Sequence, residues 1–281
     1  MVRQNLPNQN VERAAKQAAA HPWVEGLARF GIAAKGIVYA IVGILAAQAA
    51  FGTGGKTTDT QGALATIVTQ PFGQLLLALI AIGLIGYVLW RFVQAFLDPE
   101  RKGTDAKGIF QRGGYFISGL IYGGLAFSAI KILFGSANKN SNSTQDWTAR
   151  LLAQPFGQWL LATVGVFIIG MGFSEIYKAF TAKFRQKLKW QEMNETEKTW
   201  ATRTGKLGYA ARGIVFIVIG FFLIQAARQS DPSQARGLDG ALAALAQQPY
   251  GPWILGIVAI GLVAYGIHKI VEARYRRIVT A

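Results

Sequence analysis

QPFG stands at residues 70–73, stands again at 154–157, and returns as QPYG at 248–251, at intervals of 84 and then 94 residues. Each copy brings its surroundings with it. Upstream lie RFGIAAKGIVYAIVG from Arg29, RGGYFISGLIYGGLA from Arg112 and KLGYAARGIVFIVIG from Lys206, each with a basic start and a Gly-x4-Gly pair: Gly31/Gly36, Gly114/Gly119 and Gly208/Gly213. A polar loop follows, then a short Ala- and Leu-rich stretch (GALATIVT, WTARLLA, GALAALAQ), then the tetrapeptide. Each copy closes with a long apolar run ending in YVLWRFVQAF, GFSEIYKAF or YGIHKIVEA. The unit reads as helix, short interfacial helix, helix.

Within the tetrapeptide each residue has a separate task. Proline is tolerated in the first turn of a helix, where its missing N–H has no intrahelical partner, so Pro71, Pro155 and Pro249 are expected to start the second long helix of each unit. Gln70, Gln154 and Gln248 close the short helix. Phe72, Phe156 and Tyr250 are expected at headgroup level with Trp159 and Trp253, and Gly73, Gly157 and Gly251 let another backbone come close.

Composition places these helices in lipid. The chain has 281 residues, 52% hydrophobic and 15% charged, against roughly 25% charged for an ordinary soluble domain. Uncharged stretches cover 36–55, 60–90, 113–130, 151–174, 213–227 and 240–267; most reach the roughly 20 residues that cross a bilayer, and the short fifth one has arginines at both ends that snorkel outward. Six crossings follow. Residues 1–28 carry no apolar core of the secretory kind, so the first span is expected to serve as its own signal. An Ala-rich stretch from Val11 to Ala20 is a candidate helix stopped near Pro22. The absence of cysteine excludes disulfides and thiolate-held metals, and no metal or cofactor is expected. The expected division is a cytosolic segment 1–28, repeat 1 at 29–100, repeat 2 at 112–184, a cytosolic linker 185–205 and repeat 3 at 206–277.

Most of the 29 Lys and Arg fall in the N-terminal segment, the 91–112 and 178–212 connections and the C-terminus. The positive-inside rule puts both termini and these connections in the cytoplasm. The net charge of +15 is then explained by anionic lipid headgroups, without nucleic acid. Membrane lipids are thus the expected partners of the basic face, and the patch from Lys178 to Trp190 is a candidate docking surface for a membrane-protein partner instead.

Taken together, the Gly-x4-Gly pair, polar loop, GAL, Gln-Pro-aromatic-Gly and closing span resemble the bacterial membrane repeat called domain of unknown function 1206, in three tandem copies from Arg29 to about Arg277. The middle copy lacks GAL and the tyrosine of its second span. The resemblance implies an all-α integral membrane protein of a bacterial cytoplasmic (inner) membrane, with six transmembrane helices in three pairs. It implies no catalytic residue.

Three repeats that enter and leave on the same side are expected to stand around a pseudo-threefold axis, so that equivalent residues form rings. One ring is Arg91, Glu175 and Lys269; a second is Lys35, Ser118 and Arg212; a third, near the outer ends, is Gln48, Lys131 and Gln225. Repeat 2 breaks each pattern. A charge within a span is costly and usually faces protein, water or an opposite charge, which singles out Lys131 and Glu175. Glu175 is expected to meet Lys35, Arg212, Arg91 or Lys269, while Lys131 reaches outer headgroups or Asp146. The simplest reading is an ion pair that fixes repeat order plus a snorkelling lysine; the other is a site for a solute or lipid headgroup.

Enzyme signatures are poor. GTGGKT at 52–57 lacks the first glycine of a phosphate loop and lies on the outer side, SAIK at 128–131 has no companion motif, and His268 is expected at the interface. Two functions remain. The first is a non-enzymatic protein that organises membrane components through its basic face. The second is a small transporter or channel for an anion or acidic lipid along the axis. Continuous apolar packing on the axis favours the first; a wet cationic cavity favours the second.

Overall fold

The computed structural model describes residues 22–99, 102–135 and 143–277. Six helices are long and apolar enough to cross a membrane: α1 (Pro22–Ala50), α3 (Gly73–Phe96), α4 (Ala106–Leu133), α6 (Gly157–Thr181), α7 (Glu195–Gln229) and α9 (Gly251–Tyr275). Three short helices, α2 (Thr60–Val68), α5 (Ser143–Leu152) and α8 (Leu238–Ala246), each precede the second span of a repeat. The candidate helix from Val11 to Ala20 lies outside the described residues; Pro22 begins α1.

The three tetrapeptides form one kind of tight turn. The amide of Gly73 donates to the Gln70 carbonyl at 2.8 Å, as do Gly157 to Gln154 at 2.9 Å and Gly251 to Gln248 at 2.7 Å. Phe72, Phe156 and Tyr250 sit in the left-handed region at φ 59°, 61° and 61°. Proline second and a left-handed residue third is the type II pattern. The prolines therefore precede the long helices instead of opening them: the aromatic is the N-cap and the glycine the first helical residue. The chain must reverse between two helix ends within four residues, which a tight turn achieves and a helical proline does not. A Cβ on Gly73 would stand 2.2 Å from the Ile67 carbonyl oxygen, and one on Gly251 1.8 Å from that of Ala246. The three aromatic side chains are 80–82% exposed at the rim.

Around the ring, α1 packs on α3 and α9, α3 on α4, α9 on α7, and α7 on α6. Lipid offers no hydrophobic drive between helices, so close backbone contact at small residues has to hold them. A Cβ on Gly31 would lie 2.4 Å from the Tyr87 amide nitrogen, one on Gly208 2.4 Å from the Tyr265 Cα, and one on Gly213 2.7 Å from the Gly172 carbonyl oxygen. These contacts repeat the pseudo-threefold set at five of its six places. At the sixth, α4 and α6 form no packed interface among the described residues, and Gly114, the counterpart of Gly31 and Gly208, has nothing within 4 Å.

Bulk explains this seam. Where repeats 1 and 3 have Gly83 and Gly261, repeat 2 has Phe167; where they have Ala34 and Ala211, it has Ile117; and Phe110 stands for Leu27 and Thr204. The Phe110 and Phe167 rings meet at 6.0 Å, wedged where the other repeats bring backbones together. Accordingly α4 and α6 are the least buried spans and α1 and α9 the most.

The two ends of the ring differ in character. At the end opposite the basic connections, α2 and α8 pack inward with Ala63, Leu64, Ala241 and Leu242 fully buried, above Leu77, Leu84, Leu255 and Leu262. At the basic end, α7 starts at Glu195, so 195–205 of the expected linker is helical; Asn194 and Glu197 close its first turn as a capping box. The 187–189 segment pairs with the end of α9 through Lys189 N to Tyr275 O at 2.7 Å and Arg277 N to Lys187 O at 2.9 Å.

Candidate functional site

At the basic half of the ring, cations and tyrosines alternate in an arc. The Arg91 guanidinium lies 4.7 Å from the Tyr87 ring centre, and the Lys35 ammonium 5.0 Å from the same ring. Lys35 is next to Tyr39 at 5.9 Å, and Arg212 faces Tyr39 at 5.8 Å. Arg212 in turn stands 5.0 Å from Tyr265, which Lys269 approaches at 5.1 Å. The order Arg91, Tyr87, Lys35, Tyr39, Arg212, Tyr265, Lys269 thus crosses from α3 through α1 to α7 and α9. Each ring presents its negative face to a cation, an attraction that grows away from water.

Repeat geometry builds this arc. Tyr87 and Tyr265 are equivalent, with Met171 in repeat 2; Tyr39 and Tyr122 are equivalent, with Phe216 in repeat 3. The basic residue follows its tyrosine by four in α3 and α9 and precedes it by four in α1, which puts both on one helical face. Measured back from the far helix ends at 1.5 Å per residue, Lys35, Arg91, Arg212 and Lys269 all lie about 22–27 Å away, near the basic-side edge of a roughly 30 Å hydrocarbon layer.

The carboxylates are confined to one end of the arc. Glu175 accepts from Arg212 Nη1 at 2.9 Å and from Lys178 Nζ at 2.7 Å. Glu272, buried, joins both Lys269 and Arg276. Arg212 also donates to the Tyr265 hydroxyl at 2.9 Å, and Lys269 to that of Tyr209 at 3.1 Å. At the other end, Lys35 and Arg91 meet no carboxylate among the described residues. Both converge on one atom, Tyr87 Oη, which receives Lys35 Nζ at 3.2 Å, Arg91 Nε at 2.8 Å and Arg91 Nη2 at 2.5 Å. Arg91 Nη1 continues to Gln94 Oε1 at 2.9 Å. Lys35 is only 4% exposed, and α4 covers it with Tyr122, whose ring centre is 4.4 Å from the ammonium.

Five of the six residues singled out from the sequence therefore come together: Lys35, Arg91, Glu175, Arg212 and Lys269. Lys131 does not. It is exposed in the last turn of α4, its ammonium 5.2 Å from the Phe127 ring. His268 is a correction: it is fully buried, not interfacial, with Nδ1 3.0 Å from the Ala201 carbonyl oxygen and Phe184 against its ring. Sequence reasoning missed the tyrosines and Glu272. Their signal was one helical turn away from residues already aligned: Gln94, Lys178 and Glu272 follow Arg91, Glu175 and Lys269 by three in every repeat.

Comparison with known proteins identifies the scaffold. The model of the Domain of Unknown Function (DUF1206) family matches residues 30–98, 113–182 and 207–276. The uncharacterised protein YxxB of Bacillus subtilis (strain 168) is 41% identical over 255 residues, covering 91% of this chain and 92% of its own. No solved structure matches. With three matched repeats and a relative similar along nearly its whole length, the chain belongs to the DUF1206 family and is a polytopic membrane protein built from three tandem copies of that domain.

Proposed function

We propose that this protein is a non-enzymatic component of the bacterial cytoplasmic membrane that organises other membrane constituents, with both termini in the cytoplasm and the cation–tyrosine arc as its binding centre. One observation carries this reading: the charged and tyrosine side chains of the arc lie in the basic half only. Over the far half, Leu64, Leu77, Leu84, Leu242, Leu255 and Leu262 fill the interior with at most 1% exposure, which leaves ions no polar path across. A buried charge tolerates a low dielectric when it is paired or bound, so a closed-ended cationic arc acts by holding rather than by conducting. The basic connections, including Lys178–Trp190, are the surface on which anionic headgroups or a membrane-protein partner rest.

The test is flux. Purified protein in liposomes loaded with chloride or phosphate is expected to leak no faster than empty liposomes, and Lys35→Gln to change nothing. Saturable efflux that Lys35→Gln abolishes would replace this reading with that of a transporter. Orientation is checked separately: cysteines placed at Thr58 and Ser233 are expected to react with an impermeant reagent from outside, and those at Thr104 and Thr196 only after permeabilisation. The chain's lack of cysteine makes both measurements free of background.

A further inference from the structure

We propose that the carboxylate-free end of the arc, Lys35 and Arg91 around Tyr87 Oη, is a binding site for the phosphate of an acidic phospholipid, which enters sideways through the seam between α4 and α6. The inference rests on the non-conducting reading above and names the ligand of its binding centre.

Charge comes first. Two cations converge on one phenol oxygen with no carboxylate beside them among the described residues, and a buried ammonium without a counter-charge is costly. A phosphate diester supplies one negative charge and several acceptor oxygens. An arginine fork and a lysine point charge are the side chains that hold such a group best. Tyr115, whose ring centre is 5.1 Å from the Arg91 guanidinium, and Tyr122 complete an aromatic wall on the α4 side.

Depth selects lipid over a free anion. Lys35 and Arg91 stand about 22 and 27 Å from the far helix ends, a few ångströms inside the basic-side edge of a roughly 30 Å hydrocarbon layer, which a headgroup of that leaflet reaches by dipping inward while its acyl chains stay in lipid.

Access is the third line. The residues of α4 that border the arc, Tyr115 and Tyr122, are on the helix that forms no packed interface with α6 among the described residues. In repeats 1 and 3 the corresponding interface is shut by Gly31 on Tyr87 and Gly208 on Tyr265; in repeat 2 Gly113, Gly114 and Gly124 of α4 and Gly170 of α6 have nothing within 4 Å. Phe110 and Phe167 hold the two helices apart. The seam is apolar and faces the bilayer, which suits acyl chains, while the arc behind it suits the headgroup.

The experiment uses the whole protein in detergent. Phosphatidylglycerol, phosphatidylcholine and inorganic phosphate are each added, and bound lipid is read by native mass spectrometry alongside the melting temperature. Phosphatidylglycerol is expected to be retained about tenfold better than phosphatidylcholine, whose diester carries the same charge but brings a quaternary ammonium beside the two cations. Lys35→Gln and Arg91→Gln should each erase that preference. Lys131→Gln, at the opposite end of α4, should preserve it. Should either Gln variant fail to fold, the other together with Lys131→Gln still decides. Equal retention of the two lipids, or an undiminished preference in both Gln variants, overturns the site. Inorganic phosphate that raises the melting temperature as far as phosphatidylglycerol does overturns lipid as the source. For the route, a thiol cross-linker joining Gly114→Cys to Met171→Cys is expected to stop lipid exchange; unchanged exchange overturns sideways entry. None of these outcomes resembles the saturable flux that would overturn the non-conducting reading.

Discussion

In repeats 1 and 3 a glycine early in the first helix approaches the backbone of its own second helix so closely that a Cβ there would stand 2.4 Å away; in repeat 2 the equivalent Gly114 approaches nothing. The three units share a turn, a topology and a tetrapeptide, yet one of them has its two long helices unpaired. What differs is a few side chains on the mating faces: Phe110, Ile117 and Phe167 where the sister repeats carry Leu or Thr, Ala, and Gly. In a membrane, where helices are joined by fit and not by exclusion from water, bulkier side chains at three positions of the mating faces accompany an open interface in place of a closed one.

The most severe test of that contrast enlarges the glycines. Gly208→Leu and Gly31→Leu drive a side chain into the opposing backbone and are expected to cost about 3 kcal/mol or more, seen as a large fall in detergent melting temperature. Gly114→Leu is expected to stay within about 1 kcal/mol of the parent, because it fills open space and improves helix propensity. Equal losses at the three sites would erase the distinction between the repeats.

A middle-sized effect is expected at the ion pair that attaches repeat 2 to repeat 3. Glu175→Gln leaves Arg212 without its carboxylate and should cost about 1–3 kcal/mol, less than a fully buried pair because the site is partly hydrated. Adding Arg212→Gln should recover part of the loss, and a double-mutant cycle measures how much. Strict additivity would show that Glu175 and Arg212 do not stabilise each other.

Phe167→Gly sharpens the comparison in the other direction by giving repeat 2 the residue of its sisters. With cysteines at Gly114 and Met171, oxidation should yield several-fold more disulfide in the Phe167→Gly background, since bridging needs Cα atoms within about 7 Å. An unchanged yield would exonerate the phenylalanine.

The smallest effect concerns the short helices. Asp59 caps α2 by accepting from the Gly62 amide at 2.8 Å, while burial, and after it the nearby Asp239, push its carboxyl above the ordinary range. A raised acid favours the folded state below its ordinary titration range, and that advantage is lost as pH rises through the raised value. Melting temperature should therefore drift slightly downward across that window. Asp59→Asn, which keeps the cap, should flatten the drift; a slope that survives must come from another group.

The threefold spacing made the helices, their number and their pairing along the chain readable, because a repeat that needs membrane-length apolar runs leaves few alternatives. Pro71, Pro155 and Pro249 were misplaced by two residues, for a physical reason: a proline ahead of a helix fits a first turn or a tight turn equally well, and the choice depends on the φ of the aromatic after it. Non-glycine residues seldom adopt a left-handed φ, so composition argues for the wrong option at Phe72, Phe156 and Tyr250. The five charges of the arc were readable as rings because they break an otherwise apolar span. The tyrosines among them were not, since a tyrosine in a membrane helix reads as interfacial until a cation is found on its face. The seam was written in Phe167, but bulk at one glycine position acquires meaning only once the opposing helix is known.

Arg29 of α1 is bonded to Glu25 at 2.6 Å and donates to the carbonyls of Ala273 and Arg276 at 2.7 and 3.0 Å, as well as to that of Arg274. The first and last spans are thereby latched together, and the break in the ring falls within the middle repeat. Connectivity along the polypeptide and adjacency around the ring are thus independent variables. A circular permutant that joins 277 to 22 through a short tether and begins anew between α3 and α4 would keep every helix pairing described above. Its new first helix, α4, would border the seam with a free N-terminal end, released from its covalent link to α3.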